Sequence, residues 1–138
     1  FTVYGPRQRP DLAIHKFTRL IDAGQPIPFY GDGTTERDYT YYTDIIDGLE
    51  AAVDRDLGFE ILNLGESRTT PLSRLVDIIA AALGKQAVLD RQPMQPGDVV
   101  ITCADVSRAR RLLDYDPHTT VEDGVAAFVD WYRAHESG

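Results

Sequence analysis

The sequence contains very little cysteine and histidine, and this scarcity excludes two classes of small protein. Cys103 is the single cysteine among 138 residues, so the chain has no disulfide framework of its own. His15, His118 and His135 lack the spacing of metal ligands, and we predict no metal site. The apolar runs are too short to cross a membrane, and no stretch reads as a signal peptide. We therefore expect a cytoplasmic protein in a reducing compartment.

Positive charge is also in short supply, since 22 acidic residues outnumber 14 basic ones and the net charge is −8. Nucleic-acid binding needs a basic face for the phosphates, so we exclude nucleic acid as a partner. A few arginines in one pocket are nevertheless enough to bind a small anionic ligand. The length suits one domain with a real core, and 43% hydrophobic residues are typical of soluble globular proteins.

Helix and strand patterns are mixed along the chain and predict an α/β or α+β architecture. Alternating or compact apolar stretches predict short strands at residues 1–4, 26–30, 37–42, 59–65, 87–90 and 99–102. Capping and stop signals predict helices over 12–23, from Thr43 to about Val53, from Thr70–Pro71 to Leu83, from Asp105, and from Thr119 or Thr120. The strands are few and far apart, so they do not make a complete doubly wound sheet.

Two further expectations concern burial. In the helix that begins at Thr43, the apolar stripe of Ile45, Ile46 and Leu49 is predicted to face inward. Cys103 is interpreted as a small buried residue, because no base or basic cluster adjoins it in the sequence.

An ordered series of short motifs covers essentially the whole chain. The motifs are FTVYGPRQRPD, AIHKF, GDGTTERDYTYYTDIIDG, ILNLGES, PGDVVITCAD and FVDWY. In this order they resemble the C-terminal half of extended short-chain dehydrogenase/reductases that act on nucleotide sugars, most closely the UDP-glucuronate 4-epimerases. The resemblance implies an α/β fold, namely the C-terminal part of an extended Rossmann-type enzyme. It would contain the small mixed α/β substrate-binding lobe and the last elements of the nucleotide-binding sheet.

The family's glycine-rich NAD loop and its catalytic Tyr-x-x-x-Lys pair are missing from the sequence. The 11 glycines never form G-x-x-G-x-x-G, and Leu12 and Ala81 stand four residues before Lys16 and Lys85. The resemblance therefore implies that residues 1–138 are a substrate-binding C-terminal portion, with the NAD-binding Rossmann portion absent from this chain. We expect no catalytic residue here. NAD belongs to the complete parent enzyme, and the chain alone is expected to hold none.

The first candidate binding residue is Arg9, which lies in a loop stiffened by prolines. A guanidinium binds a carboxylate as a planar fork, and the prolines reduce the entropy lost in holding it. By the resemblance, Arg9 recognises the carboxylate of the sugar and Thr2 lies close to it. The alternative is that Arg7 and Arg9 are surface charges of a polar loop. The resemblance favours Arg9 and leaves Arg7 undecided.

Arg37 and Tyr30 are the next candidates. The resemblance places Arg37 on the diphosphate, whose negative charges need a donor in a half-buried position. The alternative is a surface pair between Arg37 and Glu36 or Asp38, which contributes little. Tyr30 resembles the aromatic residue that lies on the uracil ring, and the alternative is an aromatic at the end of a strand in the core.

The segment MQPGDV and the start of the first helix supply the remaining candidates. Asp98 is expected to accept hydrogen bonds from ribose hydroxyls, although an Asp in a Pro-Gly turn is common without that role. Gln95 stands where many relatives carry Arg, so one phosphate contact falls to Gln95 or shifts to Arg91. Asp11 and Leu12 are expected to contact the base through the helix terminus.

The implied function is recognition of a UDP-sugar, UDP-glucuronate above all, in an NAD-dependent 4-epimerase that works through a 4-keto intermediate. The alternatives are a UDP-galactose 4-epimerase, a nucleotide-sugar 4,6-dehydratase, or a non-catalytic remnant that binds a nucleotide sugar or a protein partner. An exposed apolar patch favours association. We therefore expect self-association, or packing on a missing Rossmann portion, through residues that would otherwise lose their partners: Ile45, Ile46, Leu49, Ile61 and Leu64.

Overall fold

The computed structural model describes residues 1–136. The strands in this range are β1 (Thr2–Tyr4), β2 (Ile27–Tyr30), β3 (Glu36–Tyr41), β4 (Thr69–Pro71), β5 (Leu89–Gln92) and β6 (Ile101–Thr102). The helices are α1 (Ala13–Asp22), α2 (Tyr42–Val53), α3 (Leu72–Leu83), α4 (Ser107–Leu113) and α5 (Val121–His135). The mixed α/β architecture is thereby confirmed. No helix within residues 1–136 is both long enough and apolar enough to cross a membrane.

Strand β3 organises the larger of two small sheets. Its second half pairs in parallel with β1, which sets Thr2 opposite Tyr39. Its first half pairs with β4 in antiparallel fashion and with β6 in parallel. The other sheet contains β2 and β5 in parallel, with Ile27 opposite Leu89. Because side chains alternate along a strand, Arg37 and Tyr39 share one face of β3 and Asp38 faces the other way.

The main core lies where α1, α3 and α5 pack against the sheets. Its largest buried side chains include Tyr4, Phe17, Phe29, Ile79 and Phe128. A second, smaller cluster joins α4 to the end of α2 and contains Ala104, Val106, Ala109, Leu113 and Tyr115.

A buried carboxylate ties distant segments to β3. Asp38 is fully buried and accepts hydrogen bonds from the backbone N–H groups of Glu66, Ser67 and Ala104 at 2.9–3.0 Å. The hydroxyl of Thr40 donates a further bond to Asp38 at 3.0 Å. These bonds offset the cost of removing the charge from water, and they fix the two loops that follow residues 65 and 103.

The predicted strand over 59–65 is wrong, because the segment forms no ladder within residues 1–136. A strand exists only where a neighbour satisfies its N–H and C=O groups, and no described segment offers that pairing. Ile61 is consequently 71% exposed. The strand-forming residues of this segment favour an extended backbone, but composition alone does not provide a neighbouring strand for it to pair with.

Two predicted helix starts are also wrong. Helix α2 begins at Tyr42 after the extended residue Tyr41, so Thr43 is not its cap. Pro71 ends β4 instead of opening α3, because its pairing opposite Glu36 keeps it extended. The prediction for the last helix is confirmed for Thr120, whose hydroxyl accepts the backbone N–H of Asp123.

The inward stripe predicted for α2 is wrong in part. Asp44 and Gly48 face the protein, whereas Ile46 and Leu49 are 44% and 50% exposed. The orientation follows from Asp44, which accepts the backbone N–H and the hydroxyl of Thr119 at 3.0 Å. Cys103 is exposed, contrary to expectation.

Candidate functional site

A cleft with a volume of about 230 Å³ lies beside α1 and β3 and combines charged and aromatic walls. It is lined by Asp11, Ala13, Lys16, Phe17, Pro28, Tyr30, Thr35, Arg37, Tyr39, Leu72 and Asp98. Four of the residues predicted from sequence, which lie in four different segments, therefore meet around one space: Asp11, Tyr30, Arg37 and Asp98.

The charged wall of the cleft is built around Arg37. Its Nη2 donates to Oδ1 of Asp98 at 2.6 Å, and its Nη1 donates to the backbone carbonyl of Glu36 at 2.8 Å. The side chains of Arg37 and Asp98 are 24% and 35% exposed, so both are held yet accessible. The surface pairing of Arg37 with a carboxylate of Glu36 or Asp38 does not occur; the partner is Asp98. Fork-like donors and a carboxylate in this arrangement suit a phosphate beside hydroxyl groups.

The apolar wall comes from residues that also belong to the core. Phe17 of α1 and Tyr39 of β3 are buried, and Tyr30 at the end of β2 is half-buried beside them. Burial raises the pKa of Tyr39 to about 12, so its hydroxyl stays neutral at physiological pH. A half-buried aromatic ring next to polar groups provides a flat surface on which a base can stack.

Lys16 lines the same cleft and is not among the residues predicted from the sequence. Lys16 lies four residues after Leu12, which is a predicted base contact. Residues four apart lie on the same face of a helix, so this spacing could have identified Lys16 from the sequence. Together with Arg37 it gives the cleft two cationic side chains, against the carboxylates of Asp11 and Asp98.

The remaining predicted residues do not line the cleft. Arg9 is exposed, and its Nη2 donates to the carboxylate of Asp11 at 3.0 Å. Because Asp11 lines the cleft, Arg9 lies at the rim of the cleft. Thr2 is half-buried in β1, opposite Tyr39. Leu12 precedes α1 as a half-buried cap residue. Gln95 is exposed, and its carbonyl accepts the backbone N–H of Asp98 at 3.1 Å.

A second cleft, with a volume of about 270 Å³, shares Tyr39 with the first and is lined by residues of β4 and the start of α5. Its basic residues already have acidic partners, since Arg68 pairs with Glu66 and Arg74 pairs with Glu122. Burial raises the pKa of Glu66, and the ion pair with Arg68 opposes this shift. Arg37 in the first cleft is paired in the same way with Asp98, so the first cleft is distinguished by the four predicted residues that meet there and not by unpaired arginines.

Comparison with known proteins decides the family. A sequence profile described as GDP-mannose 4,6 dehydratase matches residues 1–128. The chain belongs to the NAD-dependent epimerase/dehydratase family. A UDP-glucuronate 4-epimerase from Thermodesulfobacterium geofontis is 39% identical over 134 residues, which is 96% of this chain and 41% of that protein.

Solved structures of the family share the fold. The UDP-glucuronic acid 4-epimerase of Bacillus cereus, in complex with UDP-glucuronic acid and NAD, superposes with a TM-score of 0.91 at 35% identity, over 97% of this chain and 43% of that one. MoeE5 in complex with UDP-glucose and NAD gives a TM-score of 0.92 at 36% identity, over 99% and 46%. The chain thus spans less than half the length of these relatives, and the fold is that of Rossmann-type epimerases and dehydratases.

NAD is present in the solved structures of the two relatives compared above. None of the five helices in residues 1–136 follows a glycine-rich loop; the residues before them are Leu12, Tyr41, Pro71, Val106 and Thr120. Such a loop is what lets a backbone approach a dinucleotide closely. Across this same range, no three His, Cys, Asp or Glu side chains are grouped to hold a metal ion.

Proposed function

We propose that residues 1–138 are the UDP-sugar recognition portion of an NAD-dependent 4-epimerase, with UDP-glucuronate as the substrate. The observation that carries this proposal is the meeting of Asp11, Tyr30, Arg37 and Asp98 around one cleft. In the proposed arrangement, Tyr30 lies on the uracil ring, Arg37 binds the diphosphate and Asp98 accepts the ribose hydroxyls. Asp11 and Leu12 contact the base at the start of α1, and Gln95 lies beside the phosphates.

The choice of a uronate rests on Arg9. Its guanidinium lies at the rim of the cleft, bonded to Asp11, and an incoming carboxylate competes for the same fork. Thr2 is the neighbouring contact. A 4-keto uronate is a β-keto acid that can lose carbon dioxide. A residue that fixes the carboxylate away from the geometry of bond breaking therefore favours epimerisation over decarboxylation.

One alternative is another member of the superfamily with a neutral sugar substrate. MoeE5 was solved with UDP-glucose as well as with UDP-glucuronic acid, and a dTDP-glucose 4,6-dehydratase from Bacillus anthracis has the same fold with a TM-score of 0.88 at 25% identity. A neutral hexose makes Arg9 dispensable, and this distinguishes such substrates from a uronate. A non-catalytic role as a nucleotide-sugar binder is the other alternative.

Calorimetric titration of the chain tests the proposal with UDP, UDP-glucuronate, UDP-glucose and dTDP-glucose. We expect UDP to bind and UDP-glucuronate to bind more tightly than UDP-glucose. We also expect the isolated chain to retain no NAD and to catalyse no epimerisation. Equal affinity for the two UDP-sugars contradicts the uronate assignment, and absence of UDP binding leaves a structural role alone.

We further propose that the chain acts in the cytoplasm and packs on a Rossmann portion or self-associates. The packing or self-association is supported by the apolar face of α2, formed by Ile46, Leu49 and Val53, which is uncovered in this structure. Phe59 and Ile61, which follow α2 in the sequence, are also largely exposed. Apolar surface of this kind is normally covered in a working assembly.

A further inference from the structure

A buried histidine links the loop that carries Arg9 to the last helix. His15 belongs to α1 and is almost completely buried. Its Nδ1 lies 2.6 Å from the backbone carbonyl oxygen of Gln8, and its Nε2 lies 2.8 Å from Oε2 of Glu136, just past the end of α5. The residues joined in this way are 121 positions apart in the sequence. Neither the cleft nor the proposed substrate contacts make use of this histidine.

The two partners of His15 determine the state of its ring. A backbone carbonyl accepts hydrogen bonds and never donates, and an ionised carboxylate also only accepts. Nδ1 must therefore carry the hydrogen that bonds to the Gln8 carbonyl, whereas the bond to Glu136 requires a hydrogen on Nε2 or on the carboxyl group. The ring stands edge-on to Phe128, Trp131 and Tyr132, which exclude water from it.

Gln8 uses all of its polar groups to hold the loop over residues 5–11. Its backbone N–H donates to the carbonyl of Gly5, and its side-chain amide donates to the carbonyl of Val3 in β1. Its side-chain oxygen accepts the backbone N–H of His15 at 3.3 Å. With the ring bond added, the loop is anchored to β1, to α1 and to the end of α5.

The anchored loop contains an unfavourable backbone conformation. Arg7 has a positive φ of 65°, in the left-handed region that a residue with a side chain rarely adopts. Such a conformation persists only where surrounding bonds enforce it. Arg9 follows two residues later, and its direction toward Asp11 depends on the same turn.

We propose that His15 is a positioning residue that sets the orientation of Arg9 at the cleft. The ring fixes Gln8, Gln8 fixes the loop over residues 5–11, and the loop presents the Arg9 guanidinium. This inference rests on the proposed function for its consequence, because Arg9 matters only if the ligand carries a carboxylate. The clamp itself is independent of the substrate and is measured separately.

The experiment combines nitrogen NMR of the histidine rings with calorimetry on the full chain. We expect Nδ1 of His15 to carry a hydrogen in the unmodified chain, because it faces the carbonyl of Gln8. In His15→Phe, which keeps the edge-on ring contacts, the ratio of affinities for UDP-glucuronate over UDP should fall about tenfold. Affinity for UDP itself should fall less than affinity for UDP-glucuronate, because Tyr30, Arg37 and Asp98 lie outside the clamped loop and only Asp11 belongs to it. His118→Phe, at an exposed histidine, is the matched control and should leave the ratio unchanged.

Glu136→Ala and Glu136→Gln provide a second route that does not alter the core. The side chain of Gln can still hydrogen-bond with Nε2 of His15. Glu136→Gln should therefore lower the ratio of affinities for UDP-glucuronate over UDP less than Glu136→Ala does. Faster amide exchange at Gln8 should accompany the loss in Glu136→Ala. An unchanged ratio in both His15→Phe and Glu136→Ala overturns the proposal, and if His15→Phe does not fold, Glu136→Ala decides alone.

A failure of the proposed function gives a different result. If the unmodified chain shows no preference for UDP-glucuronate, the uronate assignment fails and the clamp is judged by NMR. A His15 ring without a hydrogen on Nδ1, or amide exchange at Gln8 that Glu136→Ala does not change, then overturns the clamp as well.

Discussion

Arg37 and Asp98 form an ion pair across 61 residues of sequence, with Nη2 of the guanidinium 2.6 Å from Oδ1 of the carboxylate. The family resemblance in the sequence implies that these residues contact different parts of one nucleotide, the diphosphate and the ribose. Their direct contact shows that the two groups face the same space. A diphosphate that binds Arg37 would compete with Asp98 for the guanidinium and leave that carboxylate free for a hydroxyl group.

Replacement of Arg37 by alanine should weaken UDP binding by roughly 10- to 100-fold, because a charge-assisted hydrogen bond to the diphosphate is lost. Calorimetric titration measures the change. Arg111→Ala, at an exposed arginine of α4, is the control and should bind UDP normally. Unchanged UDP affinity in Arg37→Ala would show that the diphosphate binds elsewhere.

Replacement of Arg9 by alanine should affect the sugar and spare the nucleotide. We expect the affinity for UDP-glucuronate to fall about tenfold, since one charge-assisted contact to the carboxylate disappears, with UDP changed by less than about twofold. Arg7→Ala in the same loop is the matched control. Parallel losses for UDP and UDP-glucuronate would place Arg9 on the nucleotide instead.

The apolar face of α2 should drive self-association of the isolated chain. Val53 is 84% exposed next to the half-exposed Leu49, so covering them removes apolar area from water. Light scattering should give a mass above 15.4 kDa, and Leu49→Lys should shift it toward that value. Ala126→Lys adds the same charge at an exposed position of α5 and should not. A monomeric unmodified chain at high concentration counts against this prediction.

Glu66 should reduce stability near neutral pH. Burial raises its pKa above the usual value, so the folded state disfavours the ionised form that the unfolded chain adopts freely. The contribution of Glu66 to the free energy of unfolding is fully present at pH values below the usual pKa of a glutamate. This contribution is lost as the pH rises through the raised pKa of the folded state. Glu66→Gln should therefore increase the free energy of unfolding in urea at pH 7, with the gain vanishing toward pH 4.

Glu50→Gln, at an exposed position of α2, is the control for this comparison and should change little at either pH. Destabilisation by Glu66→Gln at pH 7 would mean that the ion pair with Arg68 outweighs the cost of burial.

Gly124→Ala should destabilise the fold although alanine is the better helix former. A Cβ at Gly124 would lie 2.0 Å from the hydroxyl oxygen of buried Tyr4, so α5 must move away from β1. We expect a loss of about 1–3 kcal/mol, measured by urea unfolding. Tyr4→Phe in the same chain should relieve part of it. The reverse change Ala127→Gly, exposed on the same helix, should cost only about 1 kcal/mol. A stabilised Gly124→Ala would contradict the tight contact.

Local patterns predicted most elements of the fold, and their errors have one common cause. The strand expected over 59–65 and the helix start expected at Pro71 both depended on pairing with another segment. Pro71 pairs opposite Glu36 and stays extended, whereas 59–65 finds no ladder partner within residues 1–136. The inward stripe of α2 failed for the same reason, because the contact between Asp44 and Thr119 orients the helix. Composition and spacing contain no information about such distant partners.

The order of motifs along the chain was enough to predict the family, the mixed α/β class and four residues that line one cleft. These properties are local, because a motif retains its residue types and spacing wherever the chain later places it. Only the tertiary structure brought Arg37 to Asp98, placed Lys16 in the same cleft and joined His15 to both Gln8 and Glu136. Those relationships depend on how elements pack across many residues, and packing follows from the burial of the whole core rather than from any single stretch of sequence.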